Sequence, residues 1–184
     1  MPCAQIITSL KTKSFVMQLP NNEYPAYYEK YLPLLSSDDL IVNLENANSK
    51  LIEITADISE EKWKHKYAEG KWSVKEVINH VTDTERVLSY RAMCFSRGEK
   101  NALPGFDENV YSKNSGAANR SSESIIHEAV IVRQASIELF RNMNIDQLMI
   151  IGNGNGQMVS VRALGHFLAA HQLHHLNVIL ERYL

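Results

Sequence analysis

Three of the chain's seven histidines fall within five residues, His171, His174 and His175 in "HQLHH". Neutral imidazole is a ligand for divalent transition metals, and two rings one helical turn apart can chelate a single ion. On an α-helix, residues four apart differ by about 40° in azimuth and stand one turn apart in height. His171 and His175 meet that condition and share a sector with Leu164, Leu168 and Val178, so both are expected to face a bundle interior. His174 is displaced from His171 by roughly 60° on the other side. It sits at the margin of the apolar stripe, where a supporting or interface role suits it better. His166 points almost the opposite way.

Two histidines on an apolar face read equally well as core residues bonded to their neighbours, and a third ligand is what separates the two readings. The candidates are His65, His80, His127 and His166. His65 lies in the charged stretch "EEKWKHKYAEG", expected to be exposed, and His127 in "SIIHEAV", expected to be half-exposed. His80, in "NHVTDTE", stands at the edge of a Val77–Val81–Leu88 stripe. On geometry it is the best placed of the four to face the last helix across a bundle.

Four helical segments must position these rings. The first spans about residues 37–58, with Leu40, Leu44, Ala47, Leu51 and Ile54 recurring at spacings of three and four. The second opens on a capping box: in "KWSVKEV", Ser73 caps the helix and Glu76 reaches back to it. Trp72 and Val77 occupy the hydrophobic-staple positions, and the helix is expected to stop at Gly98. The third begins at "RSSES", with Ser121 or Ser122 as cap, and carries Ile125, Ala129, Val132, Ile137 and Phe140. The fourth starts near Ser160 and runs to the C-terminus. Four amphipathic helices without a convincing sheet predict an all-α four-helix bundle.

The connections are of two kinds. Residues 98–120 show no periodicity, and a connection that long tends to be functional or disordered. Before the last helix, "MIIGNGNGQMVS" predicts a small hairpin. It lacks a Walker lysine and a strand–helix context, so it is not a phosphate-binding loop. Residues 36–184 are expected to form a single domain, preceded by an N-terminal extension, 1–35, whose order the sequence leaves open. Met17 is a candidate natural start, with residues 1–16 an upstream extension.

The chain has 184 residues, 45% hydrophobic and 22% charged, with a net charge of −2, an ordinary composition for one globular domain. Its basic residues are scattered, which argues against nucleic acid or an anionic membrane as the primary partner. Cys3 and Cys94 are too few for a disulfide framework and are expected to be inert thiols in a reducing cytoplasm. No apolar run approaches the roughly 18 residues of a membrane span, and the N-terminus lacks signal-peptide architecture.

At "EGKWSVKEVINHVTDTER" (69–86), "LPGFDENVY" (103–111) and "AAHQLHHLNVILERYL" (169–184) the chain resembles the DinB-like (DinB/YfiT-like) superfamily. The resemblance runs from about residue 40 to the end. It implies a four-helix bundle, often a homodimer, with a divalent metal held by one histidine of the second helix and an H-x-x-x-H of the fourth. Carried onto this sequence, those ligands are His80, His171 and His175. The metal implied is zinc or nickel first, iron or manganese next, since imidazole ligands do not settle the choice.

Three imidazoles leave a divalent ion with an open position. Zinc so held can lower the pKa of bound water to about 7, or hold a substrate thiol as thiolate. The chemistry expected is therefore small-molecule hydrolysis or S-transfer to or from a low-molecular-weight thiol. Candidate catalytic acids and bases are Asp83, about 60° from His80 on its helix, and Asp107 in the long connection. Glu85 is more in keeping with a solvated acid, and Trp72 and Tyr111 are candidate pocket walls. Two alternatives stand beside the enzyme: a non-catalytic metal-binding stress protein, and a dimeric interaction module.

Overall fold

A computed structural model describes residues 19–184. Cys3, Met17 and the rest of the upstream extension lie outside the described residues. Three short 3₁₀ turns between Asn21 and Leu34 come first. Then follow α1 (Leu40–Thr55), α2 (Glu60–Lys64), α3 (Val74–Ser96), α4 (Glu108–Asn114), α5 (Ser122–Arg141) and α6 (Ile145–Met149). A hairpin, β1 (Ile151–Gly154) and β2 (Gln157–Ser160), leads into α7 (Val161–Arg182). The four long helices α1, α3, α5 and α7 are the bundle that the periodicity predicts.

Local chemistry fixes where each begins. Asp39 caps α1, accepting from the backbone N–H groups of Ile41 and Val42, so the helix starts later than residue 37. The capping box at α3 forms in full, with Ser73 and Glu76 bonded reciprocally. Ser121 caps α5 and Ser160 caps α7. Each such cap is worth about 1 kcal/mol. The short α2 and α6, also serine- and asparagine-capped, were not expected from periodicity; helices of five residues are too short to show one.

The connections are more ordered than the sequence predicts. Residues 98–120 hold α4 and a 3₁₀ turn at Ala117–Asn119. The hairpin pairs Ile151 with Ser160 and Gly154 with Gln157. Its turn places Asn155 at φ 56° and Gly156 at φ 74°, the left-handed pair that suits an Asn-Gly type I′ turn. The long connection docks on this hairpin: Leu103 N–H donates to Asn153 O at 2.9 Å, and Asn155 N–H to Leu103 O at 2.9 Å. The N-terminal turns pack on the bundle. Tyr28 is buried on the main core, stacked on Phe167 at 3.8 Å. Glu23 forms a buried ion pair with Arg162 of α7, its Oε2 accepting from Nε at 2.6 Å. Tyr28 and Glu23, both before residue 36, are thus packed against α7.

The deepest polar group joins all four long helices. Arg133 of α5 is fully buried. Its Nη2 donates to Glu85 Oε2 of α3 at 2.8 Å and to Gln172 Oε1 of α7 at 2.6 Å, and its Nη1 to Leu44 O of α1 at 3.4 Å. Gln172 in turn donates to Ala47 O of α1 at 2.8 Å. Glu85 is thus a core partner, not the solvated acid expected. Removing one member of such a pair strands the other charge in low dielectric. Glu85→Ala is expected to lower unfolding stability by roughly 3–5 kcal/mol, measured by urea denaturation. A loss below about 1 kcal/mol would show that the pair behaves like a surface bridge.

Candidate metal centre

The first half of α7, Val161–Gln172, is buried on every side. Small residues permit this. A Cβ on Gly165 would stand 2.8 Å from Leu40 and 3.0 Å from Phe140, so glycine lets α1 and α5 close on the helix. His171 is carried into the interior by this packing and is buried, while His175, one turn on, is half-buried. Across from them α3 presents His80, also half-buried.

The three rings converge. One ligand atom from each of His80, His171 and His175 lies within 4.8 Å of the others, and the two Nε2 atoms of the α7 pair are 3.1 Å apart. Nitrogens bound at 2.0–2.1 Å to a tetrahedral ion stand about 3.3 Å apart, so that spacing fits one shared ion. Aromatic packing aims the rings: Trp72 lies 4.8 Å from His80, Phe167 stacks 5.4 Å from His171, and Tyr31 lies 6.1 Å from His171. Burial keeps the imidazoles neutral. It pushes His80 down to about 4 and His175 to about 3, and holds His171 well below the ordinary histidine value. Nearby His175 and His80 add to the effect at His171. A neutral imidazole keeps the lone pair that a metal needs. The cluster is chemically suited to a divalent ion.

The rings line a cavity of about 380 Å³ between α3, α7, the N-terminal turns, α4 and the hairpin. A larger hollow of about 530 Å³, beside Leu35, Asp38 and His166, is more open and holds none of the three. The ligand set marks the smaller one as the site.

The other sequence candidates are placed elsewhere. His174 packs edge-on to Tyr31 at 4.9 Å and does not join the cluster. His166 is buried near Asn43, with Nδ1 3.4 Å from its Nδ2. His65 and His127 are exposed. Asp83 is not on the cavity wall. It accepts from Asn79 Nδ2 at 2.8 Å and lies 3.6 Å from Arg86, on the side of α3 that meets Glu128 of α5. Burial raises its pKa, opposed by Arg86. Asp107 caps α4, its Oδ1 accepting from Asn109 and Val110 N–H at 2.9 and 3.0 Å. The acid that reaches the cavity is its neighbour Glu108. Trp72 lines the cavity, whereas Tyr111 is exposed beside Phe106.

Residues that the sequence reading missed also face the cavity: Thr84, Arg91, and Tyr27, Tyr28 and Tyr31 of the N-terminal turns. The signal for the first two was the spacing of His80, Thr84, Leu88 and Arg91, which share one helical face. The tyrosines are concentrated in "YPAYYEKYLP".

Three convergent histidines from two helices of a four-helix bundle form a cluster that could hold a divalent ion. The sequence profile of the DinB superfamily matches residues 43–179, and the chain belongs to that superfamily. It is 23% identical over 135 residues to a protein of Oceanobacillus iheyensis named "Putative metal-dependent hydrolase", covering 72% of this chain and 77% of that one. Its fold matches that of YfiT from Bacillus subtilis, described as a probable metal-dependent hydrolase with an unusual four-helix bundle topology. The match has a TM-score of 0.70 at 16% identity, over 89% of this chain and 90% of the other.

Two outcomes follow from the site. His171→Ala is expected to abolish stoichiometric metal uptake, whereas His166→Ala retains it, as read by elemental analysis of untagged protein. Uptake surviving in His171→Ala would break the three-histidine assignment. The second concerns acid. Burial holds His166 at about 4, with Arg162 pushing the same way and Asp39 and Asp38 opposing. The unfolded histidine takes up its proton near pH 6.5, so stability falls as pH drops from about 6.5 toward 4. Metal-free His166→Gln is expected to show a shallower decline over that window, by about 2 to 3 kcal/mol, in urea unfolding at stepped pH. Identical slopes would show that His166 protonates freely in the folded state.

Proposed function

We propose that this protein is a metal-dependent enzyme acting on a small molecule, with a divalent ion held by His80, His171 and His175. The observation that carries the reading is that the three rings meet on the wall of a cavity instead of inside a sealed core. A structural site closes with four protein ligands, and a catalytic site keeps a position open. The family resemblance puts zinc or nickel first and iron or manganese next, and imidazole ligands alone do not choose among them. Such an ion supplies Lewis acidity, which turns water or a thiol into a nucleophile near neutral pH.

The chain's own groups supply the rest. Glu108 is the single carboxylate among the described residues that line the cavity. Its charge acts on His80, raising its pKa against the effect of burial. We assign it to take a proton from the nucleophile and return it to a leaving group, the role expected of Asp83 and Asp107 from the sequence. Trp72, Tyr31 and Phe167 wall the histidines with apolar surface, which limits water and strengthens charge interactions at the site. Hydrolysis of a small substrate is the first reaction class, in keeping with the names that the similar proteins carry. S-transfer with a low-molecular-weight thiol uses the same groups.

The test is a screen of zinc- and nickel-loaded protein with activated esters, amides and thiol-transfer substrates, against metal-free protein. Turnover that follows metal content supports the reading, and none in either class with one metal bound per chain sinks it. Glu108→Gln is expected to lower kcat about 100-fold with metal content unchanged. Asp107→Asn, which keeps a good cap, should leave kcat intact. The reverse pattern would return the proton-transfer role to Asp107.

A further inference from the structure

One charged group on the cavity wall has no task in that chemistry. Arg91 of α3 lines the cavity and is 7% exposed. Its Nη2 donates to Pro104 O at 2.6 Å, which ties the long connection to α3. Its Nε is buried with no hydrogen-bond partner among the described residues. No carboxylate among them pairs with it. The groups that act on its charge are burial and the phenols of Tyr28 and Tyr27. A guanidinium carries five N–H donors and cannot be relieved by deprotonation. The other two deeply buried arginines, Arg133 and Arg162, each have a carboxylate. Arg91 alone of the three is left to be neutralised from the cavity.

The backbone makes room for it. A Cβ on Gly154 of the hairpin would stand 3.1 Å from Arg91 Cδ and 3.4 Å from Nε, so the side chain lies flat against β1. Along α3, His80, Thr84, Leu88 and Arg91 fall within an arc of about 80°, with Arg91 about 20° from His80 and roughly 16 Å farther along the axis. All four line the cavity. Thr84, between the ends, keeps a buried hydroxyl with no partner. One helix face thus carries, in order, the candidate metal ligand, a threonine with a buried hydroxyl, an apolar side chain and a cation without a carboxylate.

We propose that this face selects an elongated small molecule whose reactive head lies at the histidines and whose anionic oxygen tail, carboxylate or phosphate, is held by Arg91. The inference rests on the proposed metal-dependent activity for the head and on Arg91 itself for the tail. The leucine and the aromatic wall between them suit a chain or ring.

The tail can be tested without metal. Octanoate and octyl phosphate are titrated calorimetrically into metal-free protein against octanol, which has the same chain and no charge. At least one of the two anions is expected to bind about tenfold or more tighter than octanol. That preference should collapse in Arg91→Met and survive in part in Arg91→Lys, which keeps the charge and loses the fork. Circular dichroism and thermal unfolding check that the variants fold. If Arg91→Met does not fold, Arg91→Lys alone decides, since an unchanged preference there removes the guanidinium from recognition. Octanoate or octyl phosphate sets the tail chemistry according to which is favoured. Equal binding of anions and octanol, no binding of either anion, or a preference unchanged in Arg91→Met overturns the proposal. In parallel, 8-mercaptooctanoate and 8-mercaptooctanol are titrated into cobalt-loaded protein, following the thiolate-to-metal absorption band. Failure of the protein to take up cobalt would sink the metal reading and leave the octanoate result standing.

Discussion

The bundle is organised around a single buried guanidinium. Arg133 costs the fold several kcal/mol to desolvate, and the fold meets that cost by bringing donors and acceptors from all four long helices to one point. Apolar packing alone would tolerate a helix sliding or turning by a fraction of a residue. A planar fork with fixed partners tolerates neither. Gln172, which completes the network, is the residue next to His171. The hydrogen bonds that register α7 against α1 and α5 therefore also fix the height and rotation of the α7 histidines relative to α3.

A second constraint concerns charge. α7 is buried along its first three turns, and every histidine it carries is held toward the neutral form. Rings that would share a site as cations would repel each other strongly in that dielectric. As neutral bases they sit with two nitrogens 3.1 Å apart. Held neutral, the rings keep the lone pairs that a divalent ion would bind.

Much of this was legible in the sequence. The serine caps, the capping box at Ser73 and the spacing of His171 and His175 are local signals, and local signals survive into the structure because they depend on residues a turn apart. Helical geometry favoured His80 among four candidates, and the family resemblance pointed to the same residue. What could not be read is the part that depends on long-range contact. Asp83 and Asp107 look like free acids in sequence. One is bonded within an ion network on α3 and α5, and the other is consumed by capping α4. Glu85 looks solvated because its partner is 48 residues away. The N-terminal segment gave no sign that it would close a cavity. The 98–120 segment, expected to be functional or disordered, did not show which of its residues would face one. Their order comes from docking on Phe167 and the hairpin and not from any period of their own.

The cavity is assembled from two kinds of material. Its metal-ligand wall belongs to α3 and α7, which are locked by the buried network. Much of the opposite wall comes from connections: Tyr27 and Tyr31 before α1, Phe106 and Glu108 after α3, and Asn155 and Gln157 in the hairpin. Connections accept insertions and exchanges that a close-packed helix does not. A lineage sharing this scaffold can therefore diversify like a lens turret, keeping the histidine cluster as the mount and exchanging the facing wall loop by loop.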